Sequence, residues 1–172
     1  MQYFRIQQDN RDSSHPKFAD PSILTQIESQ KHVYCKCIKQ TSAIGNVTLP
    51  FMDRPVFILS KELKSIFSAY QEGSKFFPFF TKDIDGKGLP YYVFRPLILS
   101  CLSKEAEFTS GNRDVKKLIL DQCKIGSHKI FQVGGLKERY LIVDLEILEL
   151  MLYSAIYPFL FTPALLSVQE EV

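Results

Sequence analysis

The sequence has little net charge and no apolar leader at its start, and each absence argues against a class of function. Its 21 basic residues are dispersed among 19 acidic residues, so the net charge is only +2. Electrostatic binding of DNA requires several lysines or arginines concentrated on one face, so we expect no nucleic-acid partner. The first ten residues, MQYFRIQQDN, lack the apolar core of a signal peptide, which predicts a cytoplasmic protein.

The residue groupings that catalysis and metal binding require are also missing from the sequence. Cys35 and Cys37, with His32 nearby, form at most part of a zinc site, because zinc usually takes four ligands at set spacings. Buried free thiols are the interpretation that we favour. Ser127 and His128 are adjacent, but no G-x-S-x-G elbow accompanies them. We expect no enzyme activity, no catalytic residue, no cofactor and no metal, and we expect four free thiols, on Cys35, Cys37, Cys101 and Cys123.

One stretch, residues 150–168, has no charged side chain and is long enough for a membrane-spanning helix. Pro158 and Pro163 interrupt it, and several tyrosine, serine and threonine residues lie within it. A buried helix, a turn and a strand explain this pattern better than a membrane span does. We therefore expect no membrane partner.

The sequence does contain a unit that occurs twice, over residues 54–80 and 139–163. Each copy begins with a short apolar run, followed by a small polar residue suited to cap a helix, Ser60 or Asp144. A glutamate two positions further on falls in the first turn, where the helix dipole favours a carboxylate. A helical apolar pattern and an aromatic run containing a proline complete each copy. The pattern predicts a duplicated strand–helix–strand unit with equivalent caps.

These elements predict an α+β fold with a mixed or antiparallel sheet and few helices. We expect the 172 residues to form a single domain, with an N-terminal extension and strands over 1–53 and a core over 54–172. The helix after Asp144 is apolar around most of its circumference, which is typical of a helix buried on several sides. We therefore expect this helix to be the central element, covered by N-terminal residues or by another subunit in a homodimer.

Asp85-Gly86, between two aromatic runs, predicts a β-hairpin. We expect exposed residues of its tip, with Tyr91 or Tyr92 after it, to form a contact surface, since tyrosine is favoured as an anchor of protein interfaces. The hairpin is therefore the candidate partner-binding surface. Its candidate residues are Lys82, Asp83, Asp85, Lys87, Tyr91 and Tyr92.

Several segments also follow one another in the order known from a protein family. Residues 56–66, VFILSKELKSI, give a strand, a serine cap and a helix, and residues 76–78 give an apolar–proline strand. Residues 91–108 begin with a Tyr-Tyr strand and lead to a cysteine and an acidic turn, and residues 129–148 give an Ile-Phe strand before the second strand–cap–helix. This order, from about residue 55 to 165, resembles the bacterial polymorphic-toxin immunity proteins called immunity protein eleven.

The resemblance implies a protein without catalytic residues that binds one cognate toxin tightly and occludes its active site. A structural or regulatory interaction module with a small-molecule pocket is the alternative class of function. Neither the contact surface nor the toxin is identified by the resemblance.

Overall fold

The computed structural model describes residues 1–11, 17–29, 36–41, 49–70, 73–109 and 115–167. Within these ranges the helices are α1 (Ser22–Ser29), α2 (Lys61–Ser68), α3 (Gln122–Ile125) and α4 (Leu145–Tyr153). The strands are β1 (Tyr3–Gln7), β2 (Lys36–Lys39), β3 (Phe51–Met52), β4 (Phe57–Ser60), β5 (Lys75–Lys82), β6 (Gly88–Arg95), β7 (Ile98–Leu99), β8 (Glu107–Phe108), β9 (Val115–Lys117), β10 (Ile119–Asp121), β11 (Ile130–Val133), β12 (Leu141–Asp144) and β13 (Leu160–Ser167). The predicted α+β class, with mixed sheets and few helices, is confirmed.

The two predicted strand–helix–strand units are β4–α2–β5 and β12–α4–β13, and both helices begin where the caps were predicted. The Ser60 hydroxyl accepts a hydrogen bond from the Leu63 N–H, and the Asp144 carboxylate accepts one from the Ile147 N–H. Each cap thus satisfies an N–H group that the first turn of a helix leaves without a partner. The duplication of the unit and the equivalence of its caps are confirmed.

The duplication extends beyond this unit to two five-stranded arrangements. The first sheet has the order β2-β5-β6-β4-β3, and the second has the order β10-β13-β1-β12-β11, with β7 added beside β11. In each arrangement the first two strands are parallel and the other neighbours are antiparallel. Strand β1, from the start of the chain, therefore occupies in the second sheet the place that β6 occupies in the first.

The strand registers agree residue by residue between the two sheets. Tyr91 of β6 lies opposite Ser60 and Phe79, whereas Tyr3 of β1 lies opposite Asp144 and Ala164. Each helix cap thus faces a tyrosine of the middle strand. This register makes residues 3–7 of β1 equivalent to residues 91–95 of β6.

Three buried clusters fill the described structure. The central cluster lies between the sheets and takes equivalent positions from both, as well as the inner faces of α2 and α4. The equivalent pairs are Phe51 and Ile130, Phe57 and Leu141, Leu59 and Val143, and Phe94 and Ile6. The outer face of the first sheet is covered by Leu24 and Ile27 of α1. The cluster on the outer face of the second sheet includes Ile125 of α3.

Helix α4 is not the central element of the fold, so that part of the prediction was wrong, whereas its cover by another subunit stays a prediction. It occupies the place equivalent to α2 and buries one face, formed by Ile147, Leu148 and Met151. Leu145 and Leu152 on its other side are exposed. The sequence pattern was misleading because an apolar side chain is compatible with burial and with exposure at a surface.

The N-terminal residues belong to the sheets: β1, β2 and β3 all lie before residue 54. The contacts of the central cluster join the two sheets, but the assignment of 1–172 to one domain stays a prediction. Among the described residues, no helix is long and apolar enough to cross a membrane. In the uncharged stretch, residues 150–153 end α4 and residues 160–167 form β13.

Candidate functional site

The predicted hairpin is formed by β5 and β6, and Lys82, Asp85 and Lys87 are exposed at its tip. Asp83, in contrast, is buried, and its carboxylate accepts hydrogen bonds from the N–H groups of Asp85 at 3.0 Å and Lys87 at 2.7 Å. Gly86 has φ of 82°, a conformation that glycine adopts most readily. The expectation that Asp83 is exposed was wrong, because its side chain holds the turn together.

Tyr91 and Tyr92 lie on opposite faces of the first sheet, as alternation along a strand requires. Tyr91 is only 3% exposed and stacks on Phe79 in the outer cluster, where burial raises the pKa of its hydroxyl to about 12. Of the alternatives Tyr91 and Tyr92, Tyr91 is therefore not part of an exposed hairpin surface. Tyr92 is half-buried on the α2 side, with the Lys64 ammonium 5.7 Å from its ring centroid. The hairpin candidates that reach the surface are therefore Lys82, Asp85, Lys87 and Tyr92.

None of the described cysteines is in a disulfide: Cys37 and Cys123 are exposed and Cys101 is buried. Cys35 and His32, the other members of the partial zinc pattern, lie outside the described residues. In the part of the chain that the structure describes, no three histidine, cysteine or acidic side chains are grouped so that they could hold a metal ion.

Burial raises the pKa of the Cys101 thiol to about 11. Because the thiolate is the reactive form and its fraction falls with rising pKa, the buried Cys101 should react with a maleimide much more slowly than the exposed Cys37 and Cys123. Brief labelling of the native protein, followed by peptide mass spectrometry, checks this order. The same labelling in denaturant is the control and should remove the difference. Equal native rates would contradict the buried position of Cys101.

The segment from α4 to β13 contains most of the exposed apolar side chains. Seven of the twelve large apolar side chains that are exposed in the described ranges fall between residues 145 and 165. One of them, Leu160, lies on the opposite face of β13 from Phe161 and Leu165, because side chains alternate along a strand. We call the other six the α4–β13 surface: Leu145, Leu152, Tyr153, Tyr157, Phe161 and Leu165, of which Tyr153 is 91% exposed.

Comparison with α2 shows that the fold does not require the α4 part of this surface. Counted from the caps, the equivalents of Leu145 and Leu152 in α2 are Lys61 and Ser68. The nearly fully exposed Tyr153 corresponds to an alanine, Ala69. The first unit thus reaches the same architecture with small or polar residues at these three positions. Another requirement must account for the apolar residues of α4.

Acidic side chains border the α4 part of the surface. Glu149 is exposed. Glu146 binds the Lys129 ammonium and accepts a hydrogen bond from the Tyr70 hydroxyl at 2.8 Å. These two hydrogen bonds, with that of Lys129 the stronger influence, lower the pKa of Glu146. The border therefore carries negative charge, part of which Lys129 neutralises.

Comparison with models of known protein families gives no match, and no curated protein matches the chain. The functional argument therefore depends on the surfaces of the molecule and on the sequence resemblance described above.

Proposed function

We propose that the chain is a binding protein that holds a protein partner on its α4–β13 surface. The observation that carries the proposal is the difference between the two equivalent helices: the surface is apolar on α4, where the same positions of α2 are small or polar. Soluble proteins seldom expose many neighbouring apolar side chains without a binding role. Leucine, tyrosine and phenylalanine here supply anchors of large area.

The partner that we propose is a bacterial toxin domain, neutralised by direct binding. The resemblance to immunity proteins motivates this choice, and the acidic border defines the chemistry of the complementary surface. An apolar patch flanked by lysine or arginine would fit the surface and pair with Glu149 at its edge. Covering the active site of the toxin needs no catalytic group on this chain. We therefore propose no reaction for it.

The proposal predicts that α4 can be given the exposed residues of α2 without loss of the fold. In a variant combining Leu145→Lys, Leu152→Ser and Tyr153→Ala, we expect the free energy of unfolding to change little, because exposed substitutions have small effects. Binding should weaken by at least about tenfold, since interface anchors often contribute more than 1.4 kcal/mol each. The measurements are growth rescue on co-expression with a neighbouring toxin gene and titration against an inactivated toxin domain.

Two controls accompany this experiment. The matched variant Lys61→Ala on α2 should bind the toxin domain like the wild type. A variant combining Lys82→Ala, Lys87→Ala and Tyr92→Ala tests the predicted hairpin surface. Full protection by the α4 variant, with loss in the hairpin variant, would move the interface to the hairpin. Sedimentation at several protein concentrations decides whether the α4–β13 surface instead binds a second copy of the chain.

A further inference from the structure

Arg5 of β1 is a largely buried cation whose polar groups are poorly satisfied. Its side chain is 18% exposed, and no hydrogen bond joins it to a described residue. The Nε atom is buried without an acceptor, and the closest carboxylate oxygen, on Glu138, lies 3.8 Å from Nη2. The guanidinium carbon lies 3.4 Å from the ring centroid of Tyr140. A buried arginine is ordinarily paired and hydrogen-bonded, so this environment is incomplete.

The equivalent positions of the first sheet are apolar. Arg5 lies opposite Ile142 of β12, as Val93 lies opposite Ile58 of β4. Tyr140 lies four residues before the cap Asp144, as Val56 lies four residues before the cap Ser60. Val56 and Val93 are both fully buried. A pair of valines therefore fills this place well in the same fold. The arginine and tyrosine of the second sheet add a buried charge that the architecture does not need.

Two clefts meet at Arg5. One, of about 190 Å³, is lined by residues 53–55 and 137–139. The other, of about 270 Å³, is lined by residues 115–118, Tyr140, Thr162, Pro163 and Leu165. Most of their charged side chains are basic. Arg54 pairs with Glu138 at 3.2 Å, and Arg139 pairs with Glu28 of α1. Lys117 and Lys137 have no ion-pair partner among the described residues. The clefts therefore keep a positive charge around an arginine that has one long ion pair, with Glu138, and no hydrogen bond to a described residue.

We propose that these clefts form a binding site for a carboxylate, with Arg5 as its main ligand. A guanidinium stacked on an aromatic ring directs its N–H groups sideways, in its own plane, where a planar carboxylate accepts them in pairs. A modest movement of the side chain brings the buried Nε into the pair. Glu138 disfavours phosphate, which concentrates its two negative charges beside Arg5. A dicarboxylate places one carboxylate at Arg5 and the other toward Lys117 or Lys137, so it fits best. The site does not depend on the proposed binding of a toxin.

The test uses the full chain and three probes: succinate, a short peptide of aspartate and glutamate, and inorganic phosphate. We expect saturable binding of succinate or of the peptide, measured by calorimetry and by shifts of the Arg5 Nε–H signal in NMR spectra. Binding of succinate indicates a free small molecule as the source of the carboxylate. Binding of the peptide alone indicates an acidic segment of a partner. Phosphate should bind at least tenfold more weakly than the better of the other two.

The key variant is Arg5→Val, which gives the second sheet the residue of the first. It should fold with unchanged or higher thermal stability and lose at least tenfold in affinity. Lys137→Ala, at the exposed edge of the site, should lose affinity severalfold without affecting the core, whereas Lys75→Ala, outside both clefts, should bind like the wild type. Absence of saturable binding, retention of binding in Arg5→Val, or equal binding of phosphate would each overturn the assignment.

Discussion

Removal of residues 1–8 is expected to abolish cooperative folding of the second sheet. Strand β1 is the middle strand of that sheet, paired with β12 on one side and β13 on the other. Its Tyr3 and Ile6 are almost completely buried, in different clusters. The deletion leaves one edge of β12 and one edge of β13 without a partner, and it opens both clusters. We expect the lost free energy of folding to exceed the usual stability of a domain, which is about 5–15 kcal/mol. Circular dichroism during urea unfolding checks the result.

A point substitution in β1 distinguishes the loss of strand pairing from the loss of buried apolar volume alone. Ile6→Ala keeps the strand pairing and removes only buried apolar volume, so it should cost about 2–5 kcal/mol and leave one cooperative transition. Gln2→Ala, at an exposed side chain, should change the unfolding free energy by less than about 0.5 kcal/mol. A truncated protein with the wild-type urea midpoint would show that β1 is dispensable.

Alanine substitutions at equivalent core positions of the two helices should have similarly large effects. Phe67 and Met151, each seven residues after its cap, are fully buried in the central cluster. We expect Phe67→Ala to cost about 3–5 kcal/mol and Met151→Ala about 2–5 kcal/mol, because each leaves a cavity that its neighbours cannot fill. Both substitutions are measured by urea unfolding at several protein concentrations.

Ser65→Ala is the control for the helix itself, since Ser65 is exposed on α2; its effect should stay within about 0.5 kcal/mol. Leu148→Ala tests whether α4 buries this face in the isolated chain. Leu148 is 3% exposed, so its loss should also cost about 2–5 kcal/mol. A near-neutral result at Phe67 or Met151 would contradict the central cluster. A dependence of the Met151→Ala midpoint on protein concentration would indicate that a second copy covers α4.

Local chemistry made the duplicated unit visible in the sequence, whereas its full extent depends on contacts between distant segments. Ser60 and Asp144 could be identified as caps because capping involves residues close in sequence. The equivalence of β1 and β6 could not be seen in this way. The two strands share a tyrosine and an aromatic residue, but their common role follows only from which strands they pair with.

The sequence also could not show which side chains of the candidate binding surfaces are exposed. Alternation along β6 implied that Tyr91 and Tyr92 face opposite ways, but the sequence did not show that α1 helps cover the Tyr91 side. Similarly, the apolar residues of α4 could indicate a buried helix or an exposed binding face. Arg5 looked like an ordinary polar residue of an alternating strand. Its unusual environment is recognised by comparison with Val93, the equivalent residue of the first sheet.

The position of β1 also determines when the second sheet can form during synthesis. On the ribosome, β2 to β6 are complete once residue 95 has been added, so the first sheet has all its strands early. Strand β1 is made before them, but its partners are residues 141–144 and 160–164. Closing such a long loop is slow, and apolar strands that wait for partners can aggregate. The nascent chain must therefore keep its first strand available until almost the last described residue has emerged.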